Sequence, residues 1–169
     1  VGELVKIGVD CLKIEGRTKS HYYAARTAQL YRQAIDDAYA GRDFNPDLNE
    51  KLEGLANRGY TDGFFVRRQI KAQQNYATGS SNAATQQFVG EVIVYDAEKG
   101  LATIEAKNHF QSGDRVEIIS PGGNREITIG SLFDRKNCEI VPAAKGSGWQ
   151  VQTDIGEVDT FTLLAKNLS

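Results

Sequence analysis

Aromatic and basic side chains interleave from Asn57-Arg58-Gly59-Tyr60, through Phe64 and Phe65, to Arg67 and Arg68. Flat rings can stack on unpaired bases while guanidinium groups neutralise phosphates, so the set fits contact with single-stranded RNA. The same rings could instead anchor a connector to a neighbouring domain, and both readings stand. Up to Lys71 the basic residues, Lys19 and Arg26 among them, slightly outnumber the acids. From Gln86 onward the acids outnumber only eight Lys and Arg. A polyanion would therefore meet the N-terminal half. The candidate RNA contacts are Lys19, Arg26, Arg58, Tyr60, Arg67 and Arg68. Glu15 and Arg17 bracket Gly16, and an ion pair between Glu15 and either Arg17 or Arg26 would fix the junction they occupy.

Other chemistry finds little support. His21 and His109 are isolated, with no partner at metal-ligand spacing, so no metal site is expected. Gly122-Gly123 and Gly146-Ser147-Gly148 read as hairpin tips, and no glycine loop leads into a helix as a phosphate cradle requires. No Ser/His/Asp or Cys/His nucleophile set can be argued. Cys11 and Cys138 lie far apart and read as reduced, partly buried thiols of a cytoplasmic protein. By itself this segment is expected to catalyse nothing.

The elements that must position these residues change character along the chain. Val1–Gly8 has a short helical look, and Asp10–Glu15 reads as a strand. Ser20 is a suitable N-cap, and Tyr23, Thr27, Leu30, Ala34 and Ala38 follow at helical spacing until Gly41. Tyr22, Tyr23, Tyr31 and Tyr39 fit a packed or half-buried face of that helix. Asn45-Pro46 opens a further helix to about Leu55, with Asn45 capping. Residues 72–86 turn to Gln, Asn, Ala, Ser and Gly, the composition of a linker. The period then becomes two, with strands expected at Phe88–Tyr95, Leu101–Lys107, Asp114–Ser120, Arg125–Leu132, Cys138–Val141, Trp149–Thr153 and Thr160–Ala165. So many short strands in so few residues suggest a small closed antiparallel β-barrel.

Hydrophobic content of 40% and charged content of 25% are those of an ordinary soluble globular protein. No apolar run approaches the ~20 residues of a membrane-spanning helix. The chain opens at Val1 and holds no Met. Its first strand has no earlier strand to pair with, so its backbone groups need partners from elsewhere. The expectation is a C-terminal portion of a longer protein, divided as 1–71, a linker over 72–86, and 87–169.

The segment Gly8-Val9-Asp10-Cys11-Leu12-Lys13-Ile14-Glu15-Gly16-Arg17, with Lys19-Ser20, Tyr23, Ala25-Arg26 and Tyr31-Arg32, resembles the closing βα unit of the collagenase-like peptidases of unclassified family 32. Ala56-Asn57-Arg58-Gly59-Tyr60-Thr61-Asp62-Gly63-Phe64 is similar to that family's second signature, and Gln87-Phe88-Val89-Gly90-Glu91 leads into a segment like its C-terminal domain. Within the family the likeness is to the YegQ-like subgroup, implicated in prephenate-dependent hydroxylation of the tRNA wobble uridine. The resemblance implies an α+β chain: the truncated last βα unit of a TIM-like barrel, a helical connector, and the small antiparallel β-barrel. It places Glu15 and Arg17 at the C-terminal end of a barrel strand, where such barrels carry their active sites. Glu15 could then act as a general acid or base, and Arg17 could grip a carboxylate or phosphate. It also implies a TIM-barrel-like domain upstream of Val1 as partner, tRNA as a further partner, and an iron–sulfur cluster in the parent. Neither Cys11 nor Cys138 matches the family's cysteine-rich motif, so no cofactor is expected in this segment.

The function expected is that of an accessory segment presenting RNA to the active site of a larger tRNA hydroxylation enzyme. Two alternatives stand beside it. The parent could be a true peptidase, or the acidic barrel could be a structural docking or oligomerisation module.

Overall fold

The computed structural model describes residues 1–55 and 86–168, and the chain divides into two compact units, Val1–Thr85 and Gln86–Ser169. The second unit opens directly at Gln86, the first residue of a strand. The linker expected over 72–86 otherwise lies outside the described residues.

The first unit is helical. α1 spans Gly2–Lys6, α2 His21–Tyr39 and α3 Asp47–Glu53. Ser20 Oγ accepts the Tyr23 N–H at 3.3 Å, satisfying one of the orphan amides that open α2. After α2, the Gly41 and Arg42 amides donate back to the carbonyls of Ala38 and Asp37, closing the helix where glycine was expected. At the next start Pro46, not the expected Asn45, is the N-cap, and Asn45 Oδ1 accepts the Asp47 N–H at 3.0 Å one residue earlier as a local turn.

Contrary to expectation, Asp10–Glu15 forms no strand, and apart from Leu12 its residues are exposed. A strand is stable only as part of a ladder, and among the described residues none pairs with it. The strand of the expected βα unit is thus not formed, and α2 stands without it. On α2 the expected face holds, with Thr27 and Leu30 buried and Tyr23, Ala34 and Ala38 half-buried, and Tyr22 and Arg26 widen it; of the four tyrosines only Tyr39, 83% exposed, departs from the expected packed face.

The second unit is antiparallel β. Its strands are β1 Gln86–Asp96, β2 Leu101–Ala106, β3 Phe110–Gln111, β4 Arg115–Ser120, β5 Gly123–Thr128, β6 Leu132–Asp134, β7 Ile140–Val141, β8 Ala143–Ala144, β9 Gln150–Thr153 and β10 Leu163–Asn167. Eight form one sheet in the order β5-β4-β10-β1-β2-β9-β6-β7, and β3 pairs separately with β8. The last strand therefore sits mid-sheet, between β4 and β1. The inward side chains, among them Val92, Ile104, Phe110, Leu132, Val151 and Leu164, build one core. Each contributes roughly 1.5–3 kcal/mol by leaving water.

β1 carries the bend. Its register slips between Phe88 and Gly90 against β10, and between Val92 and Val94 against β2. A Cβ on Gly90 would stand 2.6 Å from Ile104 Cγ2 and 3.2 Å from the Glu105 carbonyl oxygen, so only glycine fits.

The ladder order is linear, so the expected closed barrel is not completed by a β5–β7 ladder. The end strands show why. β5 is polar and almost wholly exposed, with Arg125 and Glu126 at its centre. β7 stops after two residues at Pro142, which has no N–H to offer. The expected strand Arg125–Leu132 also breaks in two. Gly113 N donates to Ile129 O and Ile129 N to Asp114 O, turning the chain between β5 and β6.

Candidate functional site

Glu15 and Arg17 lie in the exposed stretch before α2. Arg17 Nε donates to Glu15 Oε1 at 3.1 Å, and Lys13 Nζ stands 3.7 Å from Glu15 Oε2. The ion-pair reading of Glu15 and Arg17 is therefore the arrangement observed. All three side chains are well solvated, and such a pair contributes at most about 1 kcal/mol.

Lys19 is exposed, its ammonium 5.2 Å from the centre of the Tyr23 ring. Arg26 corrects an expectation: it is 1% exposed and donates to Gln29 Oε1 at 3.0 Å, so it does not face a solvent-borne polyanion. Its long stem fills the buried stripe of α2, a role open to an arginine whose head is hydrogen-bonded. Arg58, Tyr60, Arg67 and Arg68 lie outside the described residues. Cys11 and Cys138 are free thiols and, contrary to expectation, exposed.

A concavity of about 330 Å³ lies between α1, the end of α2 and α3, lined by Lys6, Arg42 and Phe44 among others. Its cations are already engaged: Arg42 pairs with Asp37 at 2.7 Å and Lys6 with Glu3 at 3.0 Å.

A more open groove of about 610 Å³ lies in the second unit, lined by Arg135, Lys136, Ser147, Gly148, Trp149 and Gln150. The β6–β9 pairing creates it. Asp134 ends β6 opposite Val151 of β9, so the turn after β6 and the loop before β9 emerge side by side. Trp149 packs partly against the core, and its Nε1–H donates to Asp134 Oδ2 at 2.6 Å. Asp134 also accepts the amides of Lys136 at 2.8 Å and Asn137 at 3.4 Å. These donors, the Lys136 amide foremost and then the indole, hold its carboxyl below the usual carboxylate range.

The loop beneath the indole is fixed by its backbone. Gly146, Ser147 and Gly148 have φ of 91°, 53° and 79°, three left-handed residues in a row. A Cβ on Gly146 would stand 3.2 Å from backbone atoms of Asn108. Gly148 N donates to Ala106 O, and Ala106 N donates in return to Trp149 O, both at 2.8 Å. Lys145 Nζ lies 5.9 Å from the indole centre. In sequence this loop looks like a hairpin tip, and the site is not visible there. The available signal is Lys145 just ahead of the chain's one tryptophan.

Residues 1–75 match the family described as peptidase family U32, and residues 84–165 match the peptidase family U32 C-terminal domain. A tRNA hydroxylation protein P from Haemophilus influenzae is 48% identical over 99% of this chain and 37% of its own length. The Escherichia coli protein of that name is 46% identical over 100% of this chain and 37% of its own length. A collagenase of Porphyromonas gingivalis is 26% identical over 72% of this chain and 34% of its own length. The chain thus spans about a third of the length of the curated relatives it matches. Among solved structures, the C-terminal domain of a Geobacillus thermoleovorans U32 peptidase is 29% identical, covering 48% of this chain and 92% of that one, with a TM-score of 0.45.

Proposed function

Because this chain belongs to peptidase family U32, matched in turn by the models of the family and of its C-terminal domain, we propose that it is the substrate-presenting segment of a tRNA hydroxylation protein. The parent would hydroxylate a tRNA uridine, and this segment would hold the RNA while chemistry proceeds in another domain. One observation carries the reading. Identity to the proteins named for tRNA hydroxylation is 46–48% over nearly the whole chain, against 26% over 72% of it for the collagenase.

Within this reading Arg17 would grip an anionic group, with Glu15 setting its orientation through their hydrogen bond. An iron–sulfur cluster in the parent would draw its cysteines from elsewhere. Neither Cys11 nor Cys138 matches the cysteine-rich motif that the family resemblance implies for such a cluster.

The test is binding of unmodified tRNA by this chain and by its parent across a salt series. Binding by the chain that weakens steadily with salt supports RNA presentation. Binding by the parent alone would move recognition to its other domain, and binding by neither would remove the tRNA reading.

The docking alternative rests on two apolar side chains of the second unit, Ile140 at 72% and Phe161 at 75% exposure. Concentration-dependent self-association of the chain, abolished by Phe161→Ser, would favour it.

A further inference from the structure

The second unit is acidic, yet its cations are unevenly compensated. Of its eight Lys and Arg, four are paired with carboxylates: Lys99 with Asp96, Lys107 with Glu105, Arg115 with Glu126 and Lys166 with Asp114. Arg125 donates to the carbonyls of Ile155 and Glu157. The remaining three are Arg135, Lys136 and Lys145. Among the described residues the Arg135 guanidinium donates to the neutral side-chain amide of Gln150, and neither lysine is ion-paired. Arg135 and Lys136 line the Trp149 groove, and Lys145 Nζ lies 5.9 Å from the indole centre.

Two carboxylates, Asp134 and Glu139, stand against these three cations, which leaves the surroundings of the ring net positive. Asp134 attracts Lys136 without an ion pair, its oxygens accepting three hydrogen bonds, one from the indole itself. Glu139 is occupied by the Asn137 side chain at 2.9 Å. Trp149 is in turn held at both ends. Asp134 fixes the indole edge, and the left-handed loop with its bonds to Ala106 fixes the backbone. A ring so constrained loses little freedom when another flat group stacks on it.

We infer that this groove takes an unpaired nucleotide of single-stranded RNA: the base stacks on Trp149, and Arg135, Lys136 and Lys145 contact the flanking phosphates. Stacking on an aromatic platform among cations is how single strands are held without sequence readout. The assignment rests on the tRNA reading and adds the place and the form of RNA it engages. It adds a contact surface in the C-terminal unit to the candidates that charge counts place in the N-terminal half.

The chain has one tryptophan, so its emission reports on this groove alone. The complete chain is titrated with unmodified tRNA, a short oligouridylate, a blunt RNA duplex and oligoglutamate, following both Trp149 emission and the anisotropy of labelled RNA. The expected result is saturable quenching by tRNA and oligouridylate, and little by the duplex or the acidic peptide. Lys136→Gln with Lys145→Gln should weaken oligouridylate binding about ten-fold at low salt. The slope of log K against log salt should flatten by about 1.4, or ~0.7 for each phosphate no longer neutralised. Trp149→Phe keeps a ring in the core and should bind severalfold more weakly, which separates stacking from folding.

If tRNA binds while Trp149 emission and the lysine variant are unchanged, the groove is wrong and the tRNA reading survives. Equal quenching by duplex or by oligoglutamate overturns the unpaired-base assignment. If neither chain nor parent binds tRNA, both proposals fall together.

Discussion

Asp134 Oδ2 accepts the indole N–H of Trp149 at 2.6 Å, tying the end of β6 to the residue before β9. The folded carboxyl titrates below its unfolded value near ~3.9, so its contribution is present above that pH and is lost as pH falls through the folded value. Trp149 emission should stay constant from neutral pH down to about 5 and shift below about 4. Asp134→Asn, which offers the indole one acceptor fewer, should destabilise the unit at pH 7 and flatten this acid response. An acid response of unchanged steepness in that variant would assign it to other carboxylates.

Gly90→Ala tests the bend in β1. The new methyl would lie 2.6 Å from Ile104 Cγ2 and 3.2 Å from a backbone carbonyl, so about 1–3 kcal/mol of stability should be lost, read by urea unfolding. Part of the clash is with a side chain. Adding Ile104→Ala should therefore cost less than the sum of the two single losses.

Phe161 sits at φ 68° with its ring 75% exposed, so it carries backbone strain without burial to offset it. Phe161→Gly should raise the melting temperature of the second unit by several degrees, as a strain of about 1 kcal/mol predicts. A drop in Tm would mean the ring contributes packing that its exposure hides.

Arg17→Ala should leave thermal stability unchanged within about 0.5 kcal/mol, because its partner Glu15 is also solvated. In the full-length parent the same change should reduce tRNA hydroxylation if Arg17 holds an anionic group. Retained activity there would leave the pair with no role in catalysis.

How much is legible in the sequence depends on whether a residue's neighbours are local. β1, β2, β4 and β9 lie close to their expected positions, although only β9 alternates strictly between buried and half-buried residues. α2 also lies close to its own, and its cap and stop are sequence-adjacent chemistry. The two-residue strands β3 and β8 carry no period and exist only through each other. Asp10–Glu15 has strand composition but no ladder, since pairing is a property of two segments. Arg26 reads as a polar surface residue by type, although a hydrogen-bonded guanidinium on a long stem can occupy a core position. The Trp149 groove escapes for a related reason. Charge counted over half a chain averages away Arg135 and Lys136, which a strand pairing sets beside Trp149, with Lys145 close to the same ring.

The position of β10 has a consequence for biosynthesis. Among the described strands of the unit it is made after all the others, yet it is hydrogen-bonded on one side to β1 and on the other to β4. Until it leaves the ribosome, β4 with β5 and β1 with β2 are two hairpins with a vacant slot between them. Their bare backbone edges are the kind that chaperones must shield. A nascent chain halted before Leu163 therefore holds both hairpins of the unit without the strand that joins them, and their pairing waits on Leu163–Asn167.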